Sequence, residues 1–155
     1  MIQYHFPTVL FFGVDSLNEL TPAIQKKGLK SLLMVTDPGL VQIGLADSVK
    51  STLTPPGLNI DIFDGVHANP LEEDVKNGVE CYQNGKFNGI IALGGGSAMD
   101  VAKTIRFMAV HDPPLAQYDD TLGGDAKIVN PMPPLFAIPT TAGTGSEVGR
   151  SSVIT

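Results

Sequence analysis

Apolar positions along the chain fall into two patterns, short continuous runs and longer stretches with helical spacing. The short runs are bounded by turn residues, and most are apolar at nearly every position, as is typical of strands covered by helices on both faces. They occupy residues 9–13, 31–37, 58–63, 89–96 and 135–139. These five segments are predicted to be strands.

The longer stretches carry apolar residues three and four positions apart, which predicts amphipathic helices. Three of them begin with a polar residue and an acidic residue three positions later, the spacing of a capping box. The three pairs are Ser16 with Glu19, Asn69 with Glu72, and Ser97 with Asp100. Pro70 is predicted at a first helical position, and Gly28 and Gly85 at helix ends. A weaker pattern predicts a helix over Leu45–Leu53.

Strand and helix segments alternate, which predicts an α/β fold with an open, mostly parallel sheet flanked by helices. The 155 residues, 43% of them hydrophobic, suffice for one compact domain, residues 1–155, but not for two. Residues 111–134 are rich in Pro, Gly and Asp and predict a long loop before the last strand. Residues 151–155 resemble one more strand with no turn after it, which is expected of a truncated chain.

Composition and charge exclude several classes of function. The net charge of −6 comes without a cluster of Lys or Arg, so a nucleic-acid partner is not expected. No stretch reaches the roughly 18 apolar residues of a membrane span, and the N-terminus lacks a basic signal-peptide region, so we expect a cytoplasmic protein without a membrane partner. Cys81 is the only cysteine and is predicted to be a small buried apolar residue on a helix.

The sequence offers no recognisable metal site. His5, His67 and His111 are scattered, without the i, i+3 or i+4 spacing of paired ligands. The acidic residues of the long loop resemble a calcium loop only in composition, and a solvated loop is the better interpretation. They are Asp119, Asp120 and Asp125.

The strand at 89–96 runs into three glycines and a serine, residues 94–97, which we call the first glycine loop. Gly94, Gly95 and Gly96 allow backbone amides to approach an anion, and the helix beginning near Ser97 presents unsatisfied N–H groups. This arrangement favours a phosphate group. The alternative is a tight turn that needs glycine only for packing.

Asp37 ends the strand at 31–37, where a carboxylate can bind the ribose hydroxyls of an adenosine and repel a 2′-phosphate. This position favours NAD, with NADP less favoured. The alternative is that Asp37 caps a helix starting at Pro38. Here the acidic strand end precedes the glycines, the reverse of the common dinucleotide fingerprint, which indicates a different α/β dinucleotide fold.

A second loop rich in glycine and hydroxyl groups follows the strand at 135–139; we call residues 139–148 the second glycine loop. Its hydroxyls and glycines are suited to wrapping a polar ligand, while the alternative is a simple Ser/Thr turn. The hydroxyls belong to Thr140, Thr141, Thr144 and Ser146, and the candidate binding residues are Thr140, Thr141, Gly143 and Thr144. Asp100 is close enough to face the same ligand or to cap its helix, whereas Lys103 is predicted to form a surface ion pair with it.

Residues 94–103, GGGSAMDVAK, and residues 138–148, IPTTAGTGSEV, together closely resemble the two signature segments of the iron-containing (group III) alcohol dehydrogenase family. Residues 35–40 and the Asn69-Pro70 pair extend the resemblance through most of the chain. The resemblance implies a Rossmann-like domain, similar to the N-terminal domain of dehydroquinate synthase. It also implies hydride transfer between a nicotinamide and an alcohol or aldehyde, with a divalent metal polarising the oxygen.

The resemblance also implies roles for individual residues. Positions matching seven residues contact the dinucleotide in the family, and Asp100 matches a position near the nicotinamide. The seven are Asp37, Asn69, Gly96, Ser97, Thr140, Thr141 and Thr144. Iron or zinc is expected only with an all-helical domain that would follow Thr155, so no catalytic residue is assigned. Gly149 departs from the threonine frequent in the family.

Three other interpretations of the sequence stay open. In the first, the chain is a non-catalytic nucleotide-binding or interaction module that pairs with a partner or with itself as a homodimer, through surface that a missing domain would cover. Glycerol dehydrogenase and dehydroquinate synthase share the fold and a glycine loop. The segment PTTAGTGSE favours the alcohol dehydrogenases.

Overall fold

The computed structural model describes residues 8–53 and 55–155. Four strands form one fully parallel sheet in the order β2-β1-β3-β4. Their bounds are β1 Ser31–Val35, β2 Asn59–Phe63, β3 Gly89–Gly94 and β4 Leu135–Pro139. The predicted α/β class, with a parallel sheet between helices, is confirmed.

Five α-helices occupy the connections around these strands. Their bounds are α1 Leu20–Lys26, α2 Pro38–Gln42, α3 Leu45–Thr52, α4 Glu72–Asn84 and α5 Gly96–Met108. A 3-10 helix, Ser16–Glu19, leads into α1. The predicted long loop at 111–134 contains three short 3-10 turns: Leu115–Tyr118, Asp120–Leu122 and Gly124–Lys127.

The two faces of the sheet bury separate apolar cores because side chains alternate between faces along each strand. On one face, Leu33 and Val35 of β1 pack with Tyr82 of α4 and Ile105 of α5. On the other face, Met34 packs with residues of α1 and α3, including Ile24, Ala46 and Val49. Helices therefore cover both faces, which explains why β1 and β3 are apolar at nearly every position.

The chain reverses its direction of winding between β1 and β3. From β1 it passes through α2 and α3 to β2 on one side, whereas from β3 it passes through α5 to β4 on the other side. The two connections cover opposite faces of the sheet. A crevice opens where such connections diverge, at the carboxyl ends of β1 and β3, and open α/β sheets bind their ligands there.

The prediction of a strand at 9–13 is wrong. Residues 9–12 have no strand assignment, and the sheet of the described residues has no fifth member to pair with them. Phe12 is 96% exposed, so the run is not covered on either face. An apolar run becomes a strand only where a neighbour satisfies its backbone groups.

The three predicted capping boxes are also wrong, although each helix exists. Asp15 precedes the first 3-10 helix, and Gly95 is the N-cap of α5, in both cases without a side-chain cap. Helix α4 starts two residues later than predicted because Asp74 accepts a hydrogen bond from the Leu71 N–H. Gly28 and Gly85 both lie at helix ends, as predicted. Gly28 follows α1 with φ of +66°, and Gly85 is the C-cap of α4 in a right-handed conformation.

Residues 151–155 are not a strand either. The N–H of Thr155 donates to the Pro70 carbonyl at 2.8 Å, and the Thr155 carbonyl accepts from the Glu72 N–H at 3.1 Å. This short pairing attaches the segment to the start of α4. Among the described residues, no helix has the length and apolar character needed to cross a bilayer.

Candidate functional site

The first glycine loop turns sharply out of the buried end of β3. Gly94 has φ of +148°, and a Cβ atom at this position would lie only 2.7 Å from the Cβ of Ala98. A side chain is therefore excluded by both conformation and space. Glycine at this position lets the chain pass from the strand directly into α5.

The N-terminus of α5 is open to a ligand. Helix geometry leaves its first-turn N–H groups without intrahelical acceptors, and no side chain of the described residues caps them. A Cβ on Gly96 would lie 3.1 Å from Thr144, so a side chain would narrow the approach to these amides. Backbone amides at the start of a 13-residue helix form a site suited to a phosphate group.

Asp37 lies two residues after the end of β1, beside this turn. Its Oδ1 accepts a hydrogen bond from the Leu40 N–H at 3.1 Å, so it caps α2 as the alternative interpretation proposed. Its Oδ2 lies 3.6 Å from where a Cβ of Gly94 would be, so the carboxylate also borders the first glycine loop. The two interpretations of Asp37 are therefore compatible.

The second glycine loop lies against the first. The Thr140 N–H donates to the Gly94 carbonyl at 2.9 Å, and Thr141 Oγ1 lies 3.4 Å from where a Cβ of Gly95 would be. Gly143 has φ of +120° with open space around it. The predicted residues of both loops and Asp37 are thus gathered at the carboxyl edge of the sheet.

A cleft of about 540 Å3 opens beside the first glycine loop, between the starts of α4 and α5. Five of the predicted site residues line it: Asn69, Gly96, Ser97, Asp100 and Thr144. Residues 145–155 supply most of the opposite wall. The other five lie outside this lining, so the site has two parts, the Asp37 side and the cleft. They are Asp37, Gly95, Thr140, Thr141 and Gly143.

The predicted surface ion pair between Asp100 and Lys103 is wrong in its location. Their side chains are only 15% and 13% exposed, and Lys103 Nζ lies 3.0 Å from Asp100 Oδ1. Lys103 Nζ also donates to Ser146 Oγ at 2.8 Å and to the Ser151 carbonyl. The second glycine loop folds back over α5 and covers the pair, which is why it is not on the surface.

Asp100 does not cap α5 with Ser97. The Ser146 hydroxyl donates to Asp100 Oδ1, and the Val153 N–H donates to Asp100 Oδ2 at 3.0 Å. The Ser97 hydroxyl donates instead to the Ala68 carbonyl at 2.7 Å. Both side chains predicted to complete a cap therefore bind other segments that line the cleft.

Asp74 holds the segment 67–71, whose residues 68–70 form one wall of the cleft. This buried carboxylate accepts from the N–H groups of His67 and Leu71, both at 3.1 Å, and lies 2.7 Å from His67 Nδ1. Burial raises the pKa of Asp74, but these three hydrogen bonds outweigh it and place its pKa below the ordinary value. Asp74 is therefore a structural anion in the wall of the site.

The histidines and acidic loop residues do not form a metal site within residues 8–53 and 55–155, where no three His, Cys, Asp or Glu side chains cluster. The ring of His111 is buried, with Nδ1 at 2.7 Å from the Phe107 carbonyl and Nε2 accepting from two N–H groups, so it holds the long loop. His5 lies outside the described residues. Cys81 lies on α4 beside the apolar core, as expected, but it is half-buried where the sequence predicted a buried residue.

Two polar residues at the site, Lys103 and Ser146, were not among the predicted binding residues. The spacing of Asp100 and Lys103, one turn apart on α5, was visible in the sequence. The spacing does not reveal that residues 146–153, more than forty residues later along the chain, pack over this pair. Only a tertiary contact distinguishes this pair from an ordinary surface ion pair.

Comparisons with known proteins give a consistent result. The family described as "Iron-containing alcohol dehydrogenase" matches residues 7–155. A choline dehydrogenase of Bacillus subtilis is 39% identical over 152 residues, covering 98% of this chain and 38% of that protein. A 1,3-propanediol dehydrogenase of Klebsiella pneumoniae is 38% identical, covering 100% of this chain and 40% of that protein.

Solved structures agree with these relatives. A 1,3-propanediol oxidoreductase matches with a TM-score of 0.85 and 38% identity, over 97% of this chain and 38% of that one. A sulfoacetaldehyde reductase from Bifidobacterium kashiwanohense, solved with NAD+, matches with a TM-score of 0.80 and 31% identity, over 96% of this chain and 38% of that one. This chain spans about two fifths of the length of such relatives. The two signature loops, their meeting at the sheet edge and the match over nearly every residue show that the chain belongs to the iron-containing alcohol dehydrogenase family.

Proposed function

We propose that this chain binds NAD(H) across the carboxyl edge of its sheet, as the dinucleotide-binding portion of a metal-dependent alcohol dehydrogenase. The observation that carries the proposal is the position of Asp37 and the first glycine loop, which flank the point where the winding direction reverses. Dinucleotides bind in the crevice at such points. The NAD+ complex of the related sulfoacetaldehyde reductase supports the same choice of ligand.

The positions of these residues support one orientation of the proposed dinucleotide. A carboxylate at the end of β1 is suited to the adenosine ribose, so we place the adenosine half beside Asp37. The pyrophosphate then lies over the N–H groups at the start of α5, where the helix dipole favours negative charge. The nicotinamide half extends into the cleft, between Asn69 and Thr144.

The reaction we propose for the whole protein is hydride transfer between the nicotinamide and a primary alcohol or its aldehyde. The relatives named as alcohol and propanediol dehydrogenases support this substrate class. A metal would polarise the substrate oxygen, and the residues described here do not supply its ligands. What these residues do is hold and orient the cofactor and form one wall of the space for the substrate.

Calorimetric titration of the chain with NADH tests the binding proposal. We expect saturable binding by the wild type, and a Kd at least about tenfold higher for Gly96→Val, whose side chain would fill the approach to the first-turn amides. Ala116→Val, on the exposed long loop, adds comparable bulk and is the matched control. A folded wild-type sample that does not bind NADH would contradict the proposal.

A separate assay tests whether this chain binds the cofactor without catalysing the reaction. With NAD+, ferrous iron and 1,3-propanediol, we expect no turnover by the 155-residue chain, because its described residues do not form a metal site. NADH formation is followed by absorbance. Robust iron-dependent turnover would contradict the assignment of this chain to the cofactor role alone.

A second candidate function is self-association, which the exposed apolar segment near the N-terminus favours. Large apolar side chains in contiguous exposed patches are uncommon on monomers. The exposed residues are Val9, Leu10, Phe11, Phe12 and Val14. Light scattering after size exclusion is expected to show a concentration-dependent mass that Phe12→Ser lowers, whereas a strict monomer would exclude this function.

A further inference from the structure

Lys103 connects α5 to two separate parts of the segment that follows β4. Its Nζ donates to the Ser146 carbonyl at 3.1 Å, to Ser146 Oγ at 2.8 Å, and to the Ser151 carbonyl. It also lies 3.0 Å from Asp100 Oδ1. Because two of these acceptors are backbone carbonyls, the lysine fixes the course of the main chain at both residues.

The surroundings of the ammonium group distinguish this arrangement from an accidental surface contact. Lys103 is only 13% exposed, and removing an ammonium group from water is costly unless its N–H donors find partners. Here every donor has an oxygen within reach. The lysine is therefore held in one arrangement, unlike an exposed ion pair, which contributes little.

Asp100 holds the same segment from the other side of the cluster. Its Oδ1 accepts from Ser146, and its Oδ2 accepts from the Val153 N–H at 3.0 Å. Both carboxylate oxygens are therefore engaged within the protein. The carboxylate therefore holds the loop, while Asp100 also lines the cleft.

We propose that Lys103, acting with Asp100, is a positioning residue that holds residues 144–153 as a wall of the cleft and thereby orients the nicotinamide half of the cofactor. This inference rests on the proposed binding of NAD(H). The wall contains Thr144, Ser146, Arg150 and Val153, all of which line the cleft. The Asp37 side is built without this wall, because Asp37 and Gly94 belong to the ends of β1 and β3.

This difference between the two sides gives the role a specific signature. Loss of the lysine should weaken binding of NADH, which reaches into the cleft, but not binding of ADP, which needs only the Asp37 side and the first-turn amides. A residue that merely stabilised the fold would change both affinities together or neither. The ratio of the two affinities therefore separates positioning from general stability.

The experiment compares wild type with Lys103→Met, which keeps the apolar length but removes the three donors, and with Lys103→Arg, which keeps the charge. We expect Lys103→Met to raise the Kd for NADH by about tenfold or more, because charged hydrogen bonds that hold the wall are lost. The Kd for ADP should stay within about twofold of the wild-type value. We expect Lys103→Arg to recover part of the loss. Lys76→Met, an exposed lysine on α4, is the control and should change neither affinity.

Hydrogen exchange by mass spectrometry tests the loop contact without any ligand. We expect faster exchange in Lys103→Met over peptides covering 144–153, including the Val153 amide, whose N–H donates a hydrogen bond to Asp100. Exchange over α1 and β1 should be unchanged. Should Lys103→Met fail to fold, Ser146→Ala removes one shared partner of both charged groups and is expected to show the same pattern more weakly.

The outcomes separate the two proposals. Unchanged exchange over 144–153 would overturn the loop contact, and faster exchange with an unchanged ratio of NADH to ADP affinity would overturn the positioning role. If wild type binds neither nucleotide, the binding proposal fails and the positioning role falls with it, whereas the exchange result still decides whether Lys103 holds the loop.

Discussion

The two glycine-rich loops that meet at the sheet edge are held by different means. The first continues a buried strand and packs on the next helix. Its course is set by residues close in sequence, because Gly94 lies directly against Ala98. The second is exposed over residues 140–144 and contains no helix or strand after Pro139. It is held at a distance, by the Thr140 N–H on the Gly94 carbonyl and by Ser146 on Lys103.

This contrast teaches where rigidity at the site comes from. A phosphate-binding turn needs fixed N–H directions, which local steric exclusion supplies without any side chain. A loop that covers a larger ligand needs attachment points that still leave an open cleft, and polar side chains of α5 supply them. Substitution of Gly94, at the strand end of the first loop, should therefore act mainly through stability, and substitutions in the second loop mainly through ligand binding.

The largest effect is expected from Gly94→Ala. The new Cβ would meet the Cβ of Ala98 at 2.7 Å in a backbone conformation that favours glycine, so we expect a loss of about 2–4 kcal/mol of unfolding free energy. Gly143→Ala is the matched change in the second loop, where φ is +120° but space is open, and we expect about 1 kcal/mol. Urea unfolding followed by circular dichroism measures both; equal losses would remove the contrast between the loops.

A smaller loss is expected from Asp74→Asn, which tests the wall opposite the second loop. At neutral pH it should cost about 2 kcal/mol, because hydrogen bonds to a buried carboxylate are weakened. The pKa of Asp74 is lower in the folded protein than in the unfolded chain, so its contribution is complete above the unfolded pKa and is lost as the pH falls through the folded pKa.

Unfolding measured from neutral to strongly acidic pH checks this sign. The wild type should lose stability on acidification more steeply than Asp74→Asn. Glu73→Gln, its exposed neighbour in the same first turn of α4, removes the same charge without the buried hydrogen bonds and should behave almost as the wild type does. Identical acid profiles for wild type and Asp74→Asn would show that this carboxylate does not hold the wall.

Ser97→Ala should cost about 1 kcal/mol, since it removes the hydroxyl that binds the Ala68 carbonyl across the cleft. Ser51→Ala removes a hydroxyl bonded only to the Ser48 carbonyl in its own helix, and should cost less. Thermal unfolding of the two variants compares a long-range attachment with a local one. A larger loss for Ser51→Ala would mean that the attachment between loop and helix contributes little.

The smallest change in stability is expected from Asp37→Ser, which keeps a side-chain cap for α2 and should cost no more than about 0.5 kcal/mol. Its effect should appear in selectivity, because removing the carboxylate removes the repulsion of a 2′-phosphate. Titrations with NADH and NADPH should show the preference for NADH decreasing. An unchanged preference would mean that Asp37 serves only as the cap.

The sequence predicted the parts of the fold that depend on local pattern. Four apolar runs became strands within two residues of their predicted bounds, and Leu45–Leu53 became α3. The run at 9–13 failed because its apolar pattern is that of a strand while its backbone finds no neighbouring strand. The pattern of apolar residues indicates which faces of a segment can be buried. It does not indicate whether a neighbouring strand is present to pair with the segment.

The polar side chains at the site were less predictable than the glycines. The role of Gly94 and Gly96 can be predicted because it depends only on the lack of a side chain, which is a local property. Ser97 and Asp100 matched a capping box in spacing, yet their hydrogen bonds go to Ala68 and Val153. A polar side chain near a helix start can satisfy its own helix or a distant segment, and only the tertiary fold decides between them.

The pairing of Thr155 with Pro70 and Glu72 has a consequence for the order of assembly. During synthesis, β1, β2, β3 and the first glycine loop leave the ribosome well before residues 144–155. The Asp37 side of the crevice can therefore form on a nascent chain whose cleft is still missing a wall. Because contacts between distant residues form slowly, we expect the first glycine loop to reach its final conformation before the wall of the cleft does.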